Sequence, residues 1–200
     1  MKYFPQLKAA LFLASLIPLI RLSWYGYSSQ LGANPIEFIT RSLGTWTLVF
    51  LLITLSITPL RKLSGWSWLI KLRRMAGLFT FFYSLLHFIT YIWLDQFFDL
   101  SSIYKDVIKR PFITIGFTAF ILLIPLAVTS TNAMIKKLGG KRWQLLHRLI
   151  YLIAIFAVLH YWWLVKKDIT QPFIYAAILS ILLGYRVLIN LLNAKNKKQL

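Results

Sequence analysis

"GGKRWQLLHRLIYLIAIFAVLHYWW", residues 139–163, decides the fold. Two glycines and two cations lead into an unbroken apolar run from Leu149 to Leu159. A histidine stands at each end of that run, His147 and His160, and the whole chain has only three. A segment this apolar suits lipid, where an ionisable side chain is costly and points to function. What surrounds the stretch decides whether it crosses a membrane, and what the histidines do there.

The composition agrees with a membrane reading. Of 200 residues, 58% are hydrophobic and 14% charged, and the mean hydropathy is +0.67. A soluble domain of that composition would aggregate, so the chain is expected to be an integral membrane protein. Six apolar stretches stand out, roughly 7–27, 43–60, 74–94, 111–129, 145–164 and 172–191. At about 20 residues per crossing, six spans leave only short loops and tails. The expected fold class is all-α: a polytopic helix bundle forming one membrane domain over residues 1–200. The first stretch follows Lys2 and Lys8 as a signal peptide would. It lacks a clear small-x-small cleavage site and continues into the aromatic "RLSWYGY", so it is read as an uncleaved span. No internal repeat is apparent. Pro111 and Pro172 suit the first turns of their spans, whereas Pro18, Pro59 and Pro125 are expected to kink theirs.

Charge sets the topology. The net charge is +18, but the cations fall between apolar spans, so nucleic acid is not expected as a partner. The segment 61–74 carries five basic residues and 130–144 four, neither with an acid. Lys2, Lys8, Lys195, Lys197 and Lys198 add to the same side. All five acids lie in the alternate connections, with Asp95, Asp99 and Asp106 in the longest of them. The positive-inside rule then puts both termini in the cytoplasm, and the lipid bilayer itself is a partner. The 95–110 connection is the expected docking surface for an external partner.

Cysteine is absent, which excludes disulfides, iron–sulfur clusters and C-x-x-C-H haem attachment. That leaves the histidines for any metal. His87 lies 13 residues beyond Arg74, and His160 lies 13 beyond His147, about 20 Å along a helix. The third and fifth spans run in the same direction, so His87 and His160 should share a depth in the outer half. Two such imidazoles suit the two axial positions of one haem. His147 is expected near the inner surface, about 140° around the helix from His160. It would bind a second haem only with a non-histidine or exogenous ligand. Phe79, Phe82, Tyr83 and Phe88 near His87, and "HYWW" from His160, suit a large aromatic cofactor or simply face lipid. Arg21 seeks an anion, either a haem propionate or the outer headgroups. On the inner loops Arg73, Arg74, Ser130 and Arg142 suit an FMN phosphate, or serve only as topology-setting charge. A transporter using the histidines as a proton or substrate site is the alternative. It would call for inverted repeats and helices broken at mid-membrane. A three-histidine zinc or copper site is disfavoured by the separation of His147 and His160. A pure scaffold would tolerate loss of the histidines.

Several blocks together carry a resemblance: "KLRRMAGLFTFFYSLLHFITY", "IKRPFITIGF", "LAVTSTNAMIKKLGGKRWQLLHRLIYLIAIFAVLHYWW" and "QPFIYA". Nearly the whole chain resembles the MsrQ (YedZ) family, the haem-binding membrane subunits of bacterial periplasmic methionine sulfoxide reductase systems. That family belongs to the ferric-reductase-like transmembrane group. The resemblance implies haem b and FMN as cofactors, with the family's histidines matching His87, His147 and His160. It implies an inner-membrane electron-transfer subunit without substrate chemistry of its own. Electrons would come from the quinone pool or a cytosolic flavin reductase. They would pass to a molybdopterin methionine sulfoxide reductase in the periplasm, MsrP-like, that repairs oxidised proteins. Eukaryotic members of the group carry four haem histidines and a fused FAD/NADPH domain. This chain has three histidines and no such domain, which puts a two-haem ladder in doubt and calls for a separate electron donor.

Overall fold

The computed structural model describes residues 3–196. Lys2, Lys197 and Lys198, counted above among the topology-setting charges, lie outside the described residues. Six helical stretches are long and apolar enough to cross a membrane: Phe4–Tyr27, Pro35–Ser64, Ser67–Asp95, Pro111–Val128, Gly140–Leu164 and Thr170–Asn196. They match the six expected spans, and no strand occurs among the described residues. We label the helices α1 (Phe4–Ala14), α2 (Ile17–Tyr27), α3 (Pro35–Ser64), α4 (Arg73–Thr90), α5 (Leu100–Lys109), α6 (Pro111–Val128), α7 (Asn132–Leu138), α8 (Gly140–His147), α9 (Leu149–Leu164) and α10 (Thr170–Asn196).

Prolines shape the spans through the hydrogen bonds they cannot make. A proline has no N–H for the carbonyl four residues before it. Pro18 therefore leaves Ala14 without its usual donor, and α1 ends at Ala14. The first span resumes as α2 at Ile17. Tyr83 of α4 braces this break, its hydroxyl donating to the Ser15 carbonyl at 2.7 Å. Pro59 likewise leaves the Leu55 carbonyl free inside α3. The Arg186 guanidinium of α10 reaches across and donates to Leu55 O. In lipid no water is present to do this, so another helix must.

The longest helix, α3, begins at Pro35 rather than near residue 43. Glu37 and Arg41 lower the hydropathy there, yet they sit one turn apart and pair at 2.6 Å. Asn34 caps the helix by accepting from the Glu37 N–H at 3.2 Å, and Pro35 fills the first turn. The connection 95–110 is also more ordered than expected. After α4 the chain passes through a π-helical turn, Tyr91–Asp95, and a bend where Phe97 and Phe98 both take positive φ. It then forms α5, whose N-terminus is capped by Asp99 accepting from Ser101 N and Ser102 N.

The most extensive helix pairings are α3 with α4 and α6 with α9. Between them sits the main core. Leu48, Leu51, Leu52 and Leu55 of α3 meet Ala119, Leu123 and Leu126 of α6, and Ile153, Ala154 and Val158 of α9. A second core joins Leu22, Leu43, Phe50, Phe79 and Tyr83. One end of the bundle carries the basic segments and the other carries all five acids; they are called the basic and acidic ends below.

Candidate functional site

A cavity of about 550 Å³ opens between α3, α4, α6 and α9 toward the acidic end. Ligand sites of drug-sized or larger molecules run about 300–1,000 Å³, so the space is ample. His87 of α4 and His160 of α9 both line it. Their ring centroids are 6.2 Å apart and the ring planes cross at 77°.

Each ring is held the same way. His87 Nδ1 lies 2.9 Å from the Thr40 carbonyl, and His160 Nδ1 lies 2.6 Å from the Phe112 carbonyl. A carbonyl only accepts, so each Nδ1 carries the proton. In the neutral imidazole, Nε2 is then left with its lone pair, the form that binds a metal. A glycine stands four residues after each carbonyl, on the same helix face. A Cβ at Gly44 would come 3.1 Å from His87 Cε1, and one at Gly116 would come 2.5 Å from His160 Nδ1. Missing side chains at these two positions let the rings reach the backbone of the neighbouring helix. The two halves of the site are thus alike: an α3 carbonyl and glycine hold the α4 histidine, and an α6 carbonyl and glycine hold the α9 histidine.

The centroid separation is that of two imidazoles with a metal held between them. Metal–nitrogen bonds of about 2.0–2.1 Å, plus about 1.1 Å from nitrogen to ring centre, put the centroids about 6.3 Å apart. Among the described residues no cluster of three histidine, cysteine, aspartate or glutamate ligands occurs; a cofactor that brings its own ligands would complete the set. The walls suit a flat apolar ring system, with Phe88, Phe117 and Phe120 among them. Polar groups gather at the acidic mouth. Arg41 and Arg110 line it, paired with Glu37 and with Asp106 at 3.3 Å. The Thr40 hydroxyl and the Tyr91 hydroxyl are buried in the cavity wall without a hydrogen-bond partner, although Asp106 lies near Tyr91. Unpaired buried hydroxyls are costly, and a carboxylate-bearing ligand would satisfy them. A porphyrin with two carboxylates at one edge fits this donor set.

His147 is elsewhere. It ends α8 at the basic end, stacked on Trp143 at 4.0 Å. Its Nε2 lies 3.1 Å from Thr129 Oγ1, and that hydroxyl donates to the Pro125 carbonyl at 2.6 Å. The single hydroxyl proton is therefore spent, and the oxygen accepts from His147 Nε2–H. His147 holds the opposite tautomer from the cavity pair. Trp143 Nε1 donates to the Thr129 carbonyl at 2.9 Å, which closes the cluster.

The other expected site residues are scattered. Arg21 is exposed on α2 and packs over the Tyr25 ring at 5.6 Å. Arg73 begins α4 on the side toward His147, while Arg74 lines a separate groove against α1. Ser130 donates back to the Leu126 carbonyl at 2.7 Å, and Arg142 is exposed on α8. Of the aromatics near His87, Phe88 lines the cavity. Tyr83 lies in the core, and Phe79 and Phe82 line the α1 groove. From "HYWW", Tyr161 lines the cavity and Trp163 is half exposed. Thr40, Gly44, Phe112, Gly116, Arg41 and Arg110 are the residues sequence reading missed.

The model of a family described as "Ferric reductase like transmembrane component" matches residues 40–158. That range begins at Thr40 and ends two residues short of His160. A protein of Herminiimonas arsenicoxydans is 61% identical over 188 residues, which is 92% of this chain and 86% of that one. One of Azospira oryzae is 58% identical, over 90% and 78% of the two chains. One of Ralstonia nicotianae is 54% identical, over 90% and 84%. Each of these relatives is named "Protein-methionine-sulfoxide reductase heme-binding subunit MsrQ".

Proposed function

Because this chain belongs to the MsrQ family of ferric-reductase-like membrane proteins, we propose that it is the haem-binding membrane subunit of a methionine sulfoxide reductase. In this reading it carries electrons outward to the catalytic partner. The observation that carries the reading is the close pair His87 and His160, with ring centroids 6.2 Å apart and each Nδ1 tied to a carbonyl.

A b-type haem supplies reversible one-electron chemistry between ferric and ferrous iron. His87 and His160 would hold it by the iron. Thr40 and Phe112 fix the tautomer and angle of those rings through their carbonyls. Phe88, Phe117 and Phe120 line the cavity and would keep water from the bound group, and a dry site favours electron transfer over side reactions with solvent. Arg41, Arg110 and the hydroxyls of Thr40 and Tyr91 would face the carboxylates.

The basic end would lie in the cytoplasm by the positive-inside rule, with both termini there and the chain in the bacterial inner membrane. The cavity then opens near the outer face, where a periplasmic molybdopterin reductase would take the electron. Electrons would arrive at the basic end from quinone or a flavin reductase. The cluster of His147, Thr129 and Trp143, with Arg73 beside it, supports this as the receiving point. FMN belongs to the same proposal, its phosphate drawn to the cations there, as does any metal-ligating role of His147.

The test is an absorption spectrum, reduced minus oxidised, with a haem count on the purified full chain and its variants. Wild type should show a b-type α band and about one haem. His87→Ala and His160→Ala should each lose the haem or turn it high-spin. His147→Ala should keep the α band and slow reduction by a quinol analogue. A colourless wild type, after expression with ample haem, would overturn the reading.

A further inference from the structure

A second large space lies on the opposite side of α4 from the histidines. The first half of the first span, α1, buries none of its side chains. It meets the bundle through Phe4 against Trp68 and Phe12 against Phe79, with ring centroids 6.3 and 5.2 Å apart, and a groove of about 1,000 Å³ remains between it and α4. The groove shares no residue with the histidine cavity. From Pro5 to Leu13 it follows α1 for about 12 Å, most of one leaflet's hydrocarbon depth of about 15 Å. Phe12, Leu78 and Phe82 are among its walls, and none of its lining side chains carries a hydroxyl, amide or carboxyl group.

Its basic-end mouth is different. Lys8, Lys71 and Arg74 all line it. None has a carboxylate partner among the described residues, where the only ion pairs are Glu37–Arg41 and Asp106–Arg110 at the far end. Lys71 instead sits 5.1 Å over the Phe4 ring, which keeps its charge at the groove's rim.

We propose that the groove seats one anionic glycerophospholipid from the surrounding leaflet. An acyl chain lies between α1 and α4, and the phosphate meets Lys8, Lys71 and Arg74. A wedge inside a bilayer is filled by hydrocarbon rather than water, and three unpaired cations select a negative headgroup. A quinone headgroup is neutral and has no need of three cations. A flavin would bury polar ring edges against walls that offer no partner. The lipid ties the loosely packed α1 to the bundle and does not depend on the haem assignment.

Native mass spectrometry of the full chain tests this. The detergent-solubilised protein is given equimolar phosphatidylglycerol and phosphatidylcholine of the same chain composition. One phosphatidylglycerol should be retained in preference, and Lys8→Gln/Lys71→Gln should reduce that preference by roughly fivefold for each charge removed. Ala9→Phe, which fills the groove, should displace both lipids while leaving the absorption spectrum unchanged. The proposal is overturned by equal retention of the two lipids in wild type, by a preference that survives Lys8→Gln/Lys71→Gln, or by ubiquinone displacing phosphatidylglycerol.

Discussion

An added methyl group at Gly116 would lie 2.5 Å from His160 Nδ1, and one at Gly44 would lie 3.1 Å from His87 Cε1. The first is a contact that real structures do not tolerate, so the His160 ring must leave the Phe112 carbonyl. The second asks for a shift of a few tenths of an ångström. Losing a hydrogen bond to a buried group costs about 1–3 kcal/mol. Gly116→Ala should therefore lower haem retention roughly tenfold, while Gly44→Ala keeps most of it; a haem count on both variants checks the order. The histidines were legible in the sequence because a titratable side chain stands out in an apolar span. The groups that orient them were not. Thr40 and Phe112 act through backbone carbonyls, which every residue has, and glycine is common in membrane helices. The four-residue spacing from carbonyl to glycine gains meaning only once α3 is known to pair with α4, and α6 with α9.

Helix breaks follow the same logic of unsatisfied carbonyls, and Pro59 with Arg186 makes it testable. Arg186 donates to Leu55 O, the carbonyl that Pro59 leaves free, and stacks 5.4 Å over Tyr151. Arg186→Leu should destabilise the protein, and by less when Pro59→Ala has already restored the N–H at position 59. The two changes should show a coupling of about 0.5–3 kcal/mol in a thermal-melting double-mutant cycle; strict additivity would contradict the link. Asp99 belongs to the same scale. It lies on the expected docking surface, and it also caps α5 by accepting from Ser101 N and Ser102 N. Asp99→Ala should cost about 0.5–2 kcal/mol of stability. A loss of electron delivery in that variant therefore reports on α5 before it reports on docking. The six spans were legible from hydropathy and length. The break at Ser15 was announced by Pro18; the break at Arg148, the π-helical turn after His87 and the helix α5 were not legible, because no proline or charge pattern marks them.

Across the whole molecule, charge and site point the same way. The acids and the open end of the histidine cavity share one end; the cationic segments and His147 share the other. With no native cysteine, single-cysteine variants report orientation cleanly. Lys105→Cys should react with an impermeant thiol reagent from the periplasmic side, and Lys137→Cys only after the membrane is opened; the reverse pattern would invert the direction of electron flow. The proposal at the centre of this reading is that His87 and His160, whose ring planes cross at 77°, would hold one haem iron between them. Low-temperature electron paramagnetic resonance of the oxidised wild-type protein tests it most directly. Crossed axial imidazoles give a strongly anisotropic low-spin ferric signal, and that is the signal expected here. A purely high-spin ferric signal, or the rhombic low-spin signal of parallel imidazoles, would contradict it.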